Sequence, residues 1–529
     1  MTRAGPGAHG WPCPTGAEMR AIDGDAISRL GIPGRTLMEA AGRAVAEAVA
    51  RYFPEKRRPL VACGSGNNGG DGYVAARALA EQRRGVQPRV LEVARPDRQS
   101  PESKANRDLL AAAQIELATA RDEASLRAAL SGCDLIVDSV FGVGLTRPVE
   151  GEAALLLRAL AESGLPIVSV DLPSGISSDT GAPLGFALEP ELIVTLGLPK
   201  LGLALQPSAA RVVVADIGLP LESIARAGVR QHQLTRRAAQ QLQPPRPLAS
   251  HKGTFGHVLV VGGALGKTGA ALLSAHGALR AGVGLVTIAA PRSLVPIFAS
   301  QLAEVMCAVL DDGGSGELVA AHAAPLLREA AARDALVVGP GLGQAEGAAA
   351  LARELATHAG VAAVVDADAL NAFAGAPEAL RSQLPRVLTP HPGEAARLLG
   401  SSTAAVQADR AAAARSLAER SGAVVVLKGA RSVVAAPDGE LSINSTGGPG
   451  LAAGGSGDVL AGVIAALLAR GSSAWDAARL GAYLHGLAGD LGPSQGGLAS
   501  ELAAHLQAAW QSLSAAGAAD EPGPLHPLA

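Results

Sequence analysis

Short apolar runs, mostly β-branched, recur along the chain between stretches with helical spacing. In the first half they are Leu60-Val61-Ala62-Cys63, Val90-Leu91-Glu92-Val93, Leu135-Ile136-Val137, Ile167-Val168-Ser169-Val170, Leu192-Ile193-Val194-Thr195 and Val212-Val213-Val214. Runs of this length, separated by helices, predict buried strands of a parallel sheet. Ahead of them Thr15-Gly16-Ala17-Glu18 has a capping-box pattern, followed by helical spacing through Ile22 and Ile27. An alanine-rich helix is predicted from about Arg35 to Tyr52. The rhythm breaks at residues 240–250, which carry Pro244, Pro245 and Pro247. It restarts with Val258-Leu259-Val260-Val261, Leu285-Val286-Thr287-Ile288, Ala335-Leu336-Val337-Val338, residues 361–365, Val387-Leu388 and Val424-Val425-Val426-Leu427. Residues 431–436 and 441–444, around Pro437-Asp438-Gly439, predict a hairpin. The expected fold is α/β, two doubly wound domains over residues 15–240 and 248–515, the first Rossmann-like. The tail after Ala515 is expected to be disordered. The halves share a rhythm but not motifs, so a fusion is expected rather than a repeat.

A length of 529 residues accommodates two cores. Aromatics are only 2% against 48% hydrophobic, so those cores are Ala, Val and Leu packing. A net charge of −3 gives no footprint for nucleic acid or an acidic membrane. There are 39 Arg and only 6 Lys, which draws attention to Lys252 and Lys428 inside glycine-containing motifs. Cys13, Cys63, Cys133 and Cys307 are too scattered for a zinc site or a disulfide framework. Residues 1–14 lack the apolar core of a secretory signal, and residues 459–469 are too short to span a bilayer. A soluble, cytoplasmic protein is expected.

Two glycine-rich segments stand at the ends of apolar runs, residues 64–72 and residues 447–458. Dense glycine lets backbone N–H groups converge on an anion, and a following helix adds its positive end, so both read as phosphate cradles. In the first half, residues 66–72, 138–145 and 171–175 each follow a predicted strand, where ligands bind in open α/β sheets. Asn68, Asp138 and Ser174 offer oxygen donors that suit a hard cation rather than zinc. Asp171 suits a general acid or base, with a turn residue ahead of Pro173 as the structural alternative.

Gly66-Asn67-Asn68-Gly69-Gly70-Asp71-Gly72, the loop from Asp138 through Gly142-Val143-Gly144, and Val170-Asp171-Leu172-Pro173-Ser174-Gly175 together resemble the NAD(P)H-hydrate epimerase family, over about residues 15–220. The resemblance implies that Asn67, Asn68, Gly69, Gly70 and Asp71, and Gly142, Val143, Gly144, Leu145, Thr146, Arg147 and Pro148, contact a hydrated nicotinamide nucleotide. It implies that Asp171 contacts it too and is the catalytic acid or base, and that Asn68, Asp138 and Ser174 bind potassium.

The second half carries His251-Lys252-Gly253-Thr254-Phe255-Gly256, Gly262-Gly263, Gly339-Pro340-Gly341-Leu342-Gly343, Asp366-Ala367-Asp368-Ala369-Leu370-Asn371, Thr389-Pro390-His391-Pro392-Gly393-Glu394, Lys428-Gly429-Ala430-Arg431-Ser432 and Gly454-Gly455-Ser456-Gly457-Asp458. Three residues have a structural alternative: His391 a rigid loop histidine, Lys428 a solvated strand end, Asp458 a helix-start carboxylate. An aspartate against a phosphate cradle is otherwise repelled, and it suits the base that activates a hydroxyl for phosphoryl transfer. The Gly-Gly-Ser-Gly-Asp turn is similar to ribokinase-like kinases, and the longer set resembles the NAD(P)H-hydrate dehydratase family over about residues 250–510. The usual segment of that family is altered at Gly448, Leu451, Ala453 and Ser456, while the glycine frame and Asp458 are kept. The resemblance implies a ribokinase-like fold, a catalytic Asp458, and Ala270, Gly341, His391 and Asp458 facing the hydrated cofactor. Lys428, Gly429, Ala430, Arg431, Ser432 and Gly457 would bind ADP or ATP with Mg²⁺.

The order of the two halves resembles a fused nicotinamide-nucleotide repair family that epimerises hydrated NADH and NADPH and dehydrates the S form. Small-molecule partners and a homo-oligomer are what it implies. A ribokinase-like vitamin-precursor kinase with an accessory first half is the enzyme alternative. A nucleotide-sensing module is opposed by the presence of both Asp171 and Asp458.

Overall fold

The computed structural model describes residues 7, 9–82, 85–93, 99–119, 122–515 and 525–528. Its contacts divide the chain into two units, one carried by Trp11–Gln231 and one by His232–Ala516.

In the first unit, α1 (Gly16–Ser28) and α2 (Gly34–Tyr52) lead into β1 (Pro59–Cys63) and α3 (Asn67–Gln82). There follow β2 (Arg89–Glu92), α4 (Pro101–Ala112), β3 (Glu116–Thr119), α5 (Glu123–Leu130), β4 (Leu135–Ser139), α6 (Gly151–Glu162), β5 (Ile167–Val170), β6 (Leu192–Leu196) and β7 (Arg211–Ala215). The capping box is formed: Thr15 accepts from the Glu18 N–H and the Glu18 carboxylate returns to Thr15. The seven strands are parallel, in the order β7-β6-β5-β4-β1-β2-β3. All of β1 is buried. Leu60 and Ala62 pack with Leu126, Leu157 and Leu160 of α5 and α6, whereas Val61 and Cys63 pack with Val45, Tyr73 and Leu79 of α2 and α3. Helices on both faces leave the sheet's carboxyl edge as the place for a ligand, and the order reverses between β1 and β4, opening a crevice there. The edge strand β3, Glu-Leu-Ala-Thr with no buried residue, lacks the apolar run that betrays the central strands.

The second unit contains β8 (His257–Val261), α7 (Thr268–Arg280), β9 (Leu285–Pro291), β10 (Met306–Leu310), β11 (Ala335–Val338), α8 (Glu346–His358), β12 (Ala362–Val365), β13 (Arg386–Leu388), α9 (Pro392–Leu399), α10 (Arg410–Ser421), β14 (Val424–Leu427), β15 (Val433–Ala435), β16 (Leu441–Asn444), α11 (Ser456–Ala469), α12 (Ala474–Leu491) and α13 (Ala499–Ser514). The order is β16-β15-β14-β13-β12-β11-β8-β9-β10, parallel except for the expected hairpin of β15 and β16. Here the order reverses between β8 and β11. Helices α7 and α11 touch backbone to backbone: a Cβ at Gly277 would lie 2.4 Å from the Val459 carbonyl oxygen, and one at Gly462 1.9 Å from that of Ser274. Among the described residues no helix is long and apolar enough to cross a membrane.

Two expectations shift. Residues 516–524 of the tail lie outside the described residues, but Leu525–Pro527 forms a strand antiparallel to β7. The division of contacts at 231/232 precedes the proline-rich stretch. Leu234, Ala238 and Ala239 are buried in the second unit's core, the Leu234 carbonyl accepts from Ser445 Oγ at 2.6 Å, and Gln240 Nε2 donates to the Leu513 carbonyl at 2.7 Å. A chain begun at Leu248 loses these contacts, roughly 3 kcal/mol of burial. It is expected to melt about 5 °C or more below a chain begun at His232. Equal melting temperatures by calorimetry would place the boundary after residue 247.

Candidate active sites

In the first unit the reversal crevice is a cavity of ≈ 500 Å³. Asn67, Asn68, Asp71, residues 142–145 and Asp171 all line it. The glycine-rich segment is not an open cradle, because residues 67–82 are already helix. Gly69 and Gly70 turn inward: a Cβ would lie 1.9 Å from the Gly64 carbonyl oxygen at the first and 2.6 Å from Met38 Cε at the second. These glycines let α3 pack closely against the loop after β1 and against α2, and only the start of the helix faces the cavity. Thr146, Arg147 and Pro148 continue as an exposed stretch outside the lining.

Asp171 directly follows β5 with φ 70°, a left-handed value unusual outside glycine. Lys200, 1% exposed, makes an ion pair with Asp171 Oδ1. Its ammonium also donates to Thr195 Oγ1 at 3.2 Å and to the Leu196 carbonyl at 2.9 Å, while the Leu196 N–H donates to Asp171 Oδ1 at 3.3 Å. Oδ2 faces Gly142, where a Cβ would lie 3.1 Å from it and 3.3 Å from Asn68 Oδ1. Both amide atoms of Asn68 are buried without a hydrogen-bond partner. Asp138 and Ser174 are fully buried. Asp138 accepts from Ser174 Oγ at 2.6 Å, from the Ser174 N–H at 2.9 Å and from Ser169 Oγ at 2.9 Å, yet burial still raises its carboxyl above the ordinary range.

Two participants were not singled out from the sequence. Lys200 is one of six lysines and follows a strand, which was a usable signal. Asp23 sits on the buried stripe of α1, four residues after Met19 and three before Ala26, where a carboxylate is out of place. Burial pushes Asp23 up to about 6, with Lys200 opposing and Asp171 adding. Asp71 is raised well above the usual range by burial and then by Asp171 and Asp23.

In the second unit, the Gly263 N–H donates to the Pro340 carbonyl at 2.9 Å and the Ala264 N–H to that of Gly341 at 2.8 Å, joining the loops after β8 and β11. Gly341 has φ 61°, and a Cβ there would lie 3.0 Å from that of Ala270 on α7, so these two residues are brought together. Lys428, at the end of β14, is the hub. Its ammonium lies 2.9 Å from Asp366 Oδ1 and 3.9 Å from Glu394 Oε2, and a Cβ at Gly457 would lie 3.1 Å from it. A fixed positive charge thus sits against the first turn of α11. Asp458 lies in that turn. Burial first, then Asp366, pushes its carboxyl up to about 7 against the opposing pull of Lys428. Ser274 Oγ donates to the Asp458 carbonyl at 2.9 Å, and His485, buried on α12, contacts the Ser456 carbonyl at 2.9 Å. Burial lowers His485 to about 4, so it stays neutral and holds the helix start in place.

Gly429, Ala430, Arg431 and Ser432 follow Lys428 in a loop gripped by Arg410, which donates to the Ala430 and Leu427 carbonyls. Arg431 has φ 54° and donates to the Ser445 carbonyl at 2.7 Å. His391 is the N-cap of α9: Nδ1 accepts from the Gly393 and Glu394 N–H groups at 3.0 and 3.3 Å, while Nε2 of the half-exposed ring lies 3.4 Å from Glu394 Oε1. Asp368 accepts from the Gly343 N–H at 2.9 Å and lies 3.4 Å from Lys267 Nζ. Lys252 does not join the site. Residues 251–256 precede β8, so they lie at the amino edge of the sheet, opposite the loops just described.

A family model described as YjeF-related protein N-terminus matches residues 34–202, and one described as NAD(P)H-hydrate dehydratase matches residues 258–512. The chain is 42% identical over 502 residues, 93% of its length and 94% of the relative's, to the bifunctional NAD(P)H-hydrate repair enzyme Nnr of Moorella thermoacetica. To the protein of the same name from Escherichia coli it is 36% identical over 497 residues, 92% of this chain and 91% of that one. Among solved structures, an ADP/ATP-dependent NAD(P)H-hydrate dehydratase from Bacillus subtilis, co-crystallized with ATP/Mg2+, is 31% identical, covering 53% of this chain and 98% of that one at a TM-score of 0.46. With both halves matched and the likeness running over nine-tenths of the chain, this protein belongs to the family of bifunctional NAD(P)H-hydrate repair enzymes.

Proposed function

We propose that the first unit interconverts the R and S forms of NADH and NADPH hydrated at C6, and that the second dehydrates the S form with an adenine nucleotide as phosphoryl donor. The observation that carries this reading is the first turn of α11, where the Lys428 ammonium lies 3.1 Å from a Cβ placed at Gly457 and Asp458 follows, half-buried, with its carboxyl pushed up to about 7. Hydroxide leaves carbon poorly, whereas a phosphate ester leaves readily. Asp458 takes the proton of the C6 hydroxyl as its oxygen attacks the terminal phosphorus of the nucleotide. A P–O bond of the nucleotide breaks, phosphate then departs from C6 with the electron pair, and loss of a C5 proton restores the ring double bond. Lys428 and the N–H groups opening α11 stabilise the charge on the transferring group. ADP is the donor expected from the likeness to fused relatives. Relatives named as repair enzymes over nearly the whole chain favour this reading over a vitamin-precursor kinase. A cytoplasmic location and a homo-oligomeric state belong to the same proposal.

Among the described residues no group of three or more His, Cys, Asp or Glu side chains is arranged to hold a metal. That suits Mg²⁺, which binds through one or two carboxylates and the phosphates it arrives with. Asp366 and Glu394 are the carboxylates beside Lys428 that would hold it, and it would neutralise phosphate charge. For potassium, the buried Asn68 Oδ1 without a partner, with Asp138 and Ser174 close to the same loops, is an oxygen donor set that fits a weakly hydrated cation. There it would order the loop over residues 138–145.

Asp458→Asn keeps the helix start and removes the base. Dehydration of the S form, followed by recovery of NADH absorbance with ADP, is expected to fall about a hundredfold or more, with epimerisation unchanged. Because the base must be ionised, kcat/KM for dehydration by the natural chain is expected to rise with pH and level off above about 7. Turnover of Asp458→Asn near the natural rate would turn attention to Asp366 and Asp368.

The same variant tests the burial of that charge. The folded carboxyl, near 7, lies above its unfolded value of 3.8, so the folded state loses stability as pH rises between them. Asp458→Asn is therefore expected to melt higher than the natural chain at pH 8, with the gap shrinking toward pH 5. A gap that does not change with pH would contradict the assigned shift.

Asp138→Ala is expected to lower epimerisation and its dependence on K⁺ while leaving dehydration intact. Equal loss of both activities would overturn the assignment of Asp138 to the first site alone.

A further inference from the structure

One route that inverts C6 of the hydrated ring breaks its C–O bond with the electron pair going to oxygen, which leaves as water once protonated. The N1 lone pair holds the resulting cation. Water then adds to C6 and gives up a proton. One proton enters and one leaves, so an acid and a base are both needed in one cavity, and the reverse reaction exchanges their roles. Resting on the epimerase reading above, we propose that Asp23 is a second catalytic residue of the interconversion, giving the proton to the departing C6 oxygen while Asp171 takes the proton of the returning water.

Asp171 is held as the base. Lys200 and the Leu196 N–H occupy Oδ1, leaving Oδ2 open toward Gly142. Asp23 differs in every respect. It comes from α1, on a separate stretch of chain, and lines the same cavity, but among the described residues its carboxyl makes no hydrogen bond or ion pair. Asp23 is half-buried and its carboxyl opens on the cavity without a protein partner, so a ligand entering there supplies its first hydrogen-bond contact. The buried, unpaired amide of Asn68 in the same wall is a second polar group awaiting a ligand. The charged and titratable groups facing Asp23 are Arg20 of α1, Asp71 of α3, Glu102 of α4, Asp171 and Lys200. The Arg20 Nη1 donor is spent on the Val143 carbonyl at 3.0 Å, and Lys200 on Asp171, so neither pairs with Asp23. Burial supports the assignment by holding Asp23 at about 6, a value at which a carboxyl gives up and regains protons near neutrality. Burial, and then Asp171 and Asp23, raise the Asp71 carboxyl in the same cavity as well.

The test uses the full-length chain without nucleotide, which idles the second unit, and separates the R and S forms of hydrated NADH by chromatography. Asp23→Asn is expected to lower kcat for interconversion about a hundredfold or more with KM within about threefold, Asp23→Glu to retain more activity than Asp23→Asn, and formate to restore part of the activity of Asp23→Ala. In the natural chain kcat/KM is expected to fall as pH rises through about 6, as the acid loses its proton, and Asp23→Asn is expected to lack that limb. Interconversion by Asp23→Asn within threefold of the natural rate, or a limb that persists in it, would overturn the proposal. If Asp23→Asn fails to fold, a natural chain without the limb, or an Asp23→Glu variant whose limb does not move, overturns it equally. A natural chain that does not interconvert the two forms at all sinks the epimerase reading itself, an outcome distinct from these.

Discussion

Removing an ammonium group from water is unfavourable by several kcal/mol unless an opposite charge and further acceptors are already in place. Each unit of this chain meets that constraint at the carboxyl edge of its parallel sheet. Lys200 follows β6 and pairs with Asp171, which ends the neighbouring β5; Lys428 follows β14 and pairs with Asp366, which ends β12. The pairs need strand ends brought to one edge of a sheet, so they exist only once the sheets have formed, and removing either member strands a buried charge. In a chain with 39 arginines, both positions hold lysine. A compact ammonium on a flexible stem fits where several acceptors converge within one side chain's breadth, as Asp171, Thr195 and the Leu196 carbonyl do around Lys200.

One lysine in each site does not offset all the carboxyls around it. In the first unit Asp23 and Asp71 remain beyond the Lys200–Asp171 pair, and both are raised. In the second, Asp458 and Glu394 remain beyond the Lys428–Asp366 pair, and both are raised. Two unrelated sets of motifs thus reach the same electrostatic arrangement: one ion pair fixes the local charge, and the surplus carboxyls are raised, Asp23 to about 6 and Asp458 to about 7, where they exchange protons near neutrality. Proton traffic at C6 is what both proposed reactions share, so two sites of this kind on one chain serve one substrate in succession.

The sequence made the central strands legible because each is buried on both faces and reads as an unbroken apolar run, as in β1, β8 and β14. The edge strands β3 and β10 were not, since β3 has no buried residue and carries Glu116 and Thr119, and only Leu310 is buried in β10. Most residues placed in the first site by motif do line one cavity, because each follows a strand and strand ends converge. Gly69 and Gly70 were read as phosphate binders, yet their lack of a side chain serves close packing of α3 against the loop after β1 and against Met38 of α2, and the two uses look alike in sequence. Asp23 was hidden for a different reason. It lies on a helix some forty residues before the first glycine segment, and only the tertiary fold carries it to the cavity.

Backbone conformation tells the same story from another side. Asp171 has φ 70°, and Ala367, the residue after Asp366, has φ 51°, each directly beyond a strand whose carboxylate meets a buried lysine. A left-handed conformation outside glycine is unfavourable by about 1–3 kcal/mol and persists only where its surroundings over-determine it. Around Asp171 they do: its N–H donates to the Val194 carbonyl at 2.8 Å, and the Leu172 N–H to that of Val170 at 2.9 Å. Around Ala367 the Asp366 N–H donates to the Val338 carbonyl at 3.1 Å, and the Ala369 N–H closes back on that of Asp366 at 3.1 Å. The sheets supply the hydrogen bonds, and the turn of the chain aims each carboxylate at its lysine instead of at solvent. A relaxed backbone at either position would send the carboxylate elsewhere and leave the lysine unpaired, so the strain and the ion pair are two parts of one device.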